Sequence, residues 1–251
     1  MTITVITVVY NGENTIEHTL QSVLMQTVPP DEYLIVDGAS MDGTLTIVKN
    51  YEEAFAQRGI SYRIISERDY GIYDAMNKGV RAASGEFVAM LNSDDWYEPD
   101  AIKTVKEEYE KQPFDLGYGS MRYVGKQGKL LVKKSGLDSF VSSRNWNHPT
   151  TFVRRDLCIR YPFDLNLKVY ADFDWYLKLR TMDLRICIFP TDRVLTNFRA
   201  GGASINANLY DMMRRAREKY FAYRRNGYSR IYFLESYLWE FVKYGFAVIC
   251  A

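Results

Sequence analysis

Two adjacent carboxylates stand at Asn92-Ser93-Asp94-Asp95, directly after the apolar run 87–91. Such a pair at a strand end repels itself unless a cation lies between the groups, so it favours a Mg²⁺ or Mn²⁺ site. The alternative is that one carboxylate caps the helix starting near Pro99 or faces water. Acidic residues recur in Asp37-Gly38-Ala39-Ser40, after the apolar run 33–36, and in Ser66-Glu67-Arg68-Asp69, after 62–65. A fourth segment, Tyr10-Asn11-Gly12, closes the run 3–10. Three acidic loops of four suit a divalent cation held between protein and phosphate better than a site binding bare phosphate through positive charge. No GxGxxG pattern and no P-loop lysine is present, which disfavours dinucleotide and ATP-grasping sites.

The elements that must carry these loops alternate. Residues 3–10 form an apolar, β-branched run that stops at Asn11-Gly12, as a strand covered on both faces does. Ile16, Leu20, Val23 and Leu24 recur at helical spacing until Pro29-Pro30. Asp42-Gly43-Thr44 opens a second helix carrying Leu45, Val48 and Tyr51, and a third spans roughly 73–83. Four strands separated by three helices predict an α/β fold: a mostly parallel central sheet flanked by helices. In such sheets ligands bind at the carboxyl ends of the strands, where the four loops fall. Beyond Pro99 the sequence predicts a helix at 101–111, antiparallel strands within 117–134, and an amphipathic helix at 171–182.

The composition narrows the function further. Lys and Arg number 32 against 31 Asp and Glu, so the chain lacks the basic excess of a nucleic-acid binder. Cys158, Cys187 and Cys250 have no CxxC or Cys/His spacing, which fits a reducing cytoplasm better than a disulfide framework. The start, MTITVITVVYNGENT, reads as a buried strand and not as a signal peptide.

The ordered motifs Val36-Asp37-Gly38-Ala39-Ser40-Met41-Asp42-Gly43-Thr44, Ser66-Glu67-Arg68-Asp69-Tyr70-Gly71 with Asp74 and Asn77, and Asn92-Ser93-Asp94-Asp95 together resemble the family 2 glycosyltransferases, over roughly residues 2–205. The resemblance implies a GT-A fold, an inverting and metal-dependent enzyme, and a nucleotide diphosphate sugar donor, UDP-linked. By resemblance Asp95 is the direct metal ligand, with Asp94 near the ribose or the metal, and Asn92 replaces a frequent Asp. Asp37 falls in the base-reading loop, where the family often has a second Asp and this chain has Gly38. Either Asp37 takes over that contact, or Glu67 or backbone reads the base; Asp69 joins the same nucleotide-sugar set. Tyr10 either stacks on the base or packs at its strand end.

The resemblance also places the general base at Asp172, in Tyr170-Ala171-Asp172-Phe173-Asp174-Trp175, with Ala171 where a Glu is frequent. Helix capping is the competing role for Asp172, and Asp174 competes for the role of base. His148 matches a loop position that would contact acceptor or phosphate, and Arg199, ahead of the Gly201-Gly202 loop, would hold the diphosphate. The acceptor expected is a hydroxyl on a lipid-linked saccharide of cell-surface polysaccharide synthesis. A nucleotidyltransferase would want a Lys- or Arg-bearing glycine loop after the first strand, which Tyr10-Asn11-Gly12-Glu13-Asn14 lacks. A decayed carbohydrate- or lipid-binding protein is the other rival, kept open by Gly38, Asn92 and Ala171.

Residues 1–205 are thus expected to form the catalytic domain and 206–251 a helical C-terminal segment. Within 210–230 seven Arg and Lys face only Asp211 and Glu218. Glu235, Ser236, Glu240 and Lys243 share one arc of the helix that follows, opposite an aromatic remainder. This pattern predicts either peripheral contact with the inner face of the cell membrane, or packing on the catalytic domain or on a second subunit, a homo-oligomer included.

Overall fold

The computed structural model describes residues 1–125, 128, 130–199 and 208–249. The glycine loop after Arg199 and Cys250 lie outside them.

The four apolar runs are strands: β1 (Ile3–Val9), β2 (Glu32–Asp37), β3 (Ser61–Ser66) and β4 (Phe87–Met90). They pair in parallel in the order β3-β2-β1-β4. Every residue of β1, β2 and β4 is buried, as the unbroken apolar runs required of strands covered on both faces. One face carries α1 (Ile16–Leu24), α2 (Thr44–Lys49), α3 (Glu52–Gln57) and α5 (Ala101–Lys111), the other α4 (Ile72–Ala82), α6 (Arg155–Arg160) and α7 (Ala171–Arg180). The expected second helix is two short ones, interrupted at Asn50-Tyr51; Phe55 packs on the Tyr33 and Tyr62 rings and Tyr51 on Phe55.

Strand order reverses between β1 and β4, since β2 and β3 lie to one side and β4 to the other. That switch opens a crevice at the carboxyl ends of β1 and β4, between Tyr10-Asn11-Gly12 and Asn92–Asp95. Beyond β4 the sheet is extended by β9 (Phe152–Arg154), antiparallel to both of its neighbours, then β6 (Leu116–Tyr118) and β10 (Ile186–Ile188). A four-stranded sheet, β5 (Trp96–Tyr97), β11 (Val194–Arg199), β7 (Ser120–Val124) and β8 (Leu130–Lys133), includes the expected antiparallel β7–β8 pair. β11 thereby returns the chain to the acidic loop: its last residue, Arg199, bonds Asp95.

The helix predicted at 171–182 is α7 (Ala171–Arg180), but it is not amphipathic: seven of its ten residues are buried. Helix α8 (Leu209–Arg225) covers the face that would otherwise meet water, and Tyr223 packs edge-on against Phe173, 5.4 Å between centroids. Helix α9 (Tyr232–Ile249) lies against α8. Three cations of the predicted basic stretch are consumed here. Arg215 and Lys219 are buried against Glu240 (2.8 Å) and Glu235 (2.9 Å), and Arg225 binds Asp174 and Asp164.

Candidate active site

The first two loops are stitched together by short polar bonds. Asn11 accepts the N–H of Met41 (2.9 Å) and gives its own to Ser40 (2.8 Å); Gly12 N–H donates to Thr44 Oγ1 (2.9 Å). Asp42 accepts from the N–H of Thr44 and of Glu13 (3.0 and 3.2 Å), so it organises the start of α2 as a capping reading anticipates. Asn11 and Ala39 both hold positive φ (50° and 63°), and for alanine this conformation costs about 1 kcal/mol. Tight turns thus shape the loops after β1 and β2.

Asp37 is fully buried. Its carboxylate accepts from Ser66 Oγ (2.6 Å) and from the N–H of Ser40 (3.1 Å), which pins the ends of β2 and β3 together. The group facing Gly38 is instead Asp69. A Cβ placed on Gly38 would lie 2.5 Å from Asp69 Oδ2 and 3.4 Å from the Tyr10 ring. Asp69 is held there by the N–H of Gly71, which donates to Oδ1 (2.8 Å). The β3–α4 loop thus brings a carboxylate against position 38, beside an exposed Tyr10. Glu67 points elsewhere, to Lys78 Nζ at 3.0 Å.

On the other side of the crevice Asp95 is buried, with Oδ1 accepting the N–H of Arg199 (3.1 Å). Among the described residues its Oδ2 has no partner, and neither does the buried Asn92 Oδ1. An unsatisfied buried carboxylate oxygen costs free energy unless a ligand completes it. Burial, and then the neighbouring Asp94 charge, push the Asp95 carboxyl well above the usual range; burial also raises Asp94. A dication reverses both effects, so the donor set fits Mg²⁺ or Mn²⁺, with Asp95 and Asp94 as holders. Among the described residues no three His, Cys, Asp or Glu groups converge into a cage. Arg199 sits beside this pair. Its Nε donates to Asp94 O (3.3 Å) and its guanidinium lies 5.2 Å over the Trp96 ring, which in turn stacks on His18.

Asp172 occupies the first turn of α7, one residue past Ala171. Its Oδ1 accepts the N–H of Phe173 (2.7 Å) and stands 3.1 Å from the Tyr73 hydroxyl, which also donates to Val169 O (2.5 Å). His148 Nδ1 lies 3.5 Å from Asp172 Oδ2. Burial lowers the His148 pKa against the pull of Asp172. The Asp172 side chain keeps 22% of its surface open. Asp174, by contrast, is buried and bound to Arg225 and Asn226, so it serves the α7–α8 joint.

The sequence did not point to Tyr73, Glu218 or Lys133. Glu218 on α8 accepts the N–H groups of Lys168, Val169 and Tyr170 (3.1, 2.9 and 3.3 Å), clamping the chain that leads into Asp172. Lys133 is partly buried and donates to the carbonyls of Ser143 (2.9 Å) and Trp146 (3.0 Å), two residues before His148. Asn77 binds both the N–H and the C=O of Phe163 (2.9 Å each), so this motif residue is a backbone clamp.

A mostly parallel sheet with a strand-order switch, and an acidic pair at the carboxyl end of β4, give the chain a GT-A architecture. The model of glycosyl transferase family 2 matches residues 4–165, and the chain belongs to that family. A PGL/p-HBAD biosynthesis glycosyltransferase of Mycobacterium bovis is 34% identical over 162 residues, 63% of this chain and 62% of that protein. The match thus spans less than two thirds of that relative's length. TuaG of Bacillus subtilis, assigned by name to teichuronic acid biosynthesis, is 27% identical over 96% of this chain and 94% of its own. Two solved structures share the fold at 19% identity and a TM-score of 0.66. Staphylococcus aureus TarS in complex with UDP-GlcNAc is matched over 97% of this chain and 72% of its own, and the mannosyltransferase PcManGT of Pyrobaculum calidifontis, with GDP-Man and Mn²⁺, over 99% and 74%.

Proposed function

We propose that the protein transfers a sugar from a nucleotide diphosphate sugar, UDP-linked, to a hydroxyl acceptor, with inversion at the anomeric carbon. The observation that carries this reading is the contrast between two carboxylates. Asp95 is buried with one oxygen unpartnered, which suits a cation, whereas Asp172 is partly open and supported by Tyr73 and the Phe173 amide, which suits a base. A bound Mg²⁺ or Mn²⁺ would neutralise charge on the departing diphosphate. Asp172 takes the proton of the acceptor hydroxyl as its oxygen attacks opposite the leaving group. His148, with Nδ1 3.5 Å from Asp172 Oδ2, would border the acceptor side of the site. Arg199 adds positive charge on the diphosphate side. Asp69, in place of a side chain at Gly38, accepts an N–H from the base, and Tyr10 stacks on it.

Residues 1–205 would make up the catalytic domain and 206–251 its helical support. The acceptor is read as a lipid-linked saccharide of cell-surface polysaccharide synthesis, in keeping with relatives named for PGL/p-HBAD and teichuronic acid biosynthesis. Action on the cytoplasmic side suits the free thiols Cys158 and Cys187. No described helix is long and apolar enough to cross a membrane. The test is release of nucleoside diphosphate from a panel of nucleotide sugars with Mn²⁺ and no acceptor. Slow release from one donor is expected; a chain that releases nothing and gains no thermal stability from any donor is a binding module or another enzyme.

A further inference from the structure

The C-terminal hairpin is turned inside out for a helix pair that meets only water. On α9 the polar residues point inward. Glu235 accepts from Lys219 (2.9 Å) and Ser142 (2.6 Å), and Glu240 accepts from Arg215 (2.8 Å), Tyr170 (2.5 Å) and Lys243 (2.8 Å). The opposite side of α9 exposes Leu234, Leu238, Phe241 and Val242, 44–60% open, with Phe233 and Tyr237 on its flank. At helical spacing these form one stripe with no charged residue in it. A helix docked on a soluble core shows the reverse pattern, and a continuous apolar patch on a surface marks a contact.

The border of the stripe is cationic. Tyr220 of α8 packs edge-on against Phe233 (5.5 Å), and Met213, Arg217 and Arg224 share its side of α8 at seven, three and four residues' distance. Arg217, Arg224 and Arg230 are exposed, and among the described residues none of them forms an ion pair. Each carboxylate of residues 208–244 is taken already. Asp211 pairs with Arg214, Glu218 holds the amides of 168–170, and Glu235 and Glu240 are internal.

We propose that this face lies on an anionic lipid surface, with the α9 stripe in the headgroup–acyl boundary and the arginines on the phosphates. The charge pattern selects this occupant. A two-fold pairing of the hairpin with its own copy would set a face bearing free cations against the same face, which offers no free carboxylate to meet them. Lipid phosphates supply what the protein does not.

Flotation of the full chain tests this without any assay of transfer. Vesicles of phosphatidylcholine with phosphatidylglycerol should carry the protein up, and pure phosphatidylcholine should carry far less. The variant Leu234→Ser/Leu238→Ser/Phe241→Ser should stay at the bottom. Arg217→Gln/Arg224→Gln/Arg230→Gln should partition on the order of a hundredfold more weakly, each cation near an anionic surface being worth roughly fivefold. Circular dichroism and melting of both variants check that they fold; if either fails to fold, raising the salt on the unaltered chain replaces it and should release the protein. The proposal is overturned if the full chain does not float with anionic vesicles, or floats equally with neutral ones. It is also overturned if the apolar substitutions dissolve a dimer while flotation is absent, which would assign the face to a second copy.

Discussion

Asp69 Oδ2 occupies the space that a side chain on Gly38 would enter, 2.5 Å from the position of its Cβ. The two residues come from different loops, so their identities are coupled. Gly38→Ala should push Asp69 off its bond to the Gly71 amide and weaken donor binding by about tenfold or more, with little loss of fold. Asp69→Ala should cost a comparable factor, and the double variant should lose little beyond either single one, because neighbours in contact are not additive. Calorimetry with the donor nucleotide measures the cycle. Strictly additive losses would mean that Asp69 and position 38 act separately.

Asp95 and Arg199 close the crevice on its other side. Asp95→Asn should remove most of the Mn²⁺-dependent part of donor affinity, since the unpartnered oxygen has lost its charge. Titration of donor nucleotide with and without Mn²⁺ gives this directly; a variant that keeps the full metal dependence places the cation elsewhere.

Lys133 gives a pH signature. Burial, and then the nearby Lys243 and Lys219 charges, bring it down to about 7 from 10.5. Between those values the unfolded chain holds a proton that the folded one has released, so the contribution of Lys133 to stability rises with pH across that window; below it the cation exerts its full cost. Melts of Lys133→Met and the parent should therefore draw apart in the parent's favour between about pH 7 and pH 9. A difference that stays flat with pH would show that Lys133 is charged, or neutral, throughout.

Much of this fold was legible in the chain because β1, β2 and β4 are buried on both faces and therefore read as unbroken apolar runs. Their loops could be placed for the same reason, and with them Asp37, Asp94 and Asp95. Strand β9 could not, since three residues inserted antiparallel between β4 and β6 carry no periodicity. The buried role of Asp37 depends on Ser66, twenty-nine residues away, and on a loop turn. The polar arc of α9 was visible as an arc, but its direction depends on Arg215 and Lys219 of another helix, and a pattern on one helix is silent about which side faces in. The same non-locality hides Glu218, which lies nearly fifty residues from the amides it accepts.

Glu218 should behave as a positioning residue. Glu218→Ala leaves three amides near Asp172 without their acceptor and should lower stability by about 1–3 kcal/mol. It should reduce kcat by more than it changes KM for the donor, because the donor side of the crevice is built from other loops. Glu218→Gln keeps one acceptor oxygen and should restore part of kcat. Equal loss in both variants, or a change confined to donor KM, would argue against the clamp.

The central claim is that Asp172 is the base of a sugar transfer, and Asp172→Asn tests it most directly. The amide is nearly isosteric, can still accept the Phe173 N–H, and cannot take a proton. Transfer measured with the productive donor and a hydroxyl acceptor should fall by about 10²- to 10⁴-fold, while donor affinity by calorimetry stays within a few-fold of the parent. Turnover within a few-fold of the parent, with donor binding intact, would contradict the account.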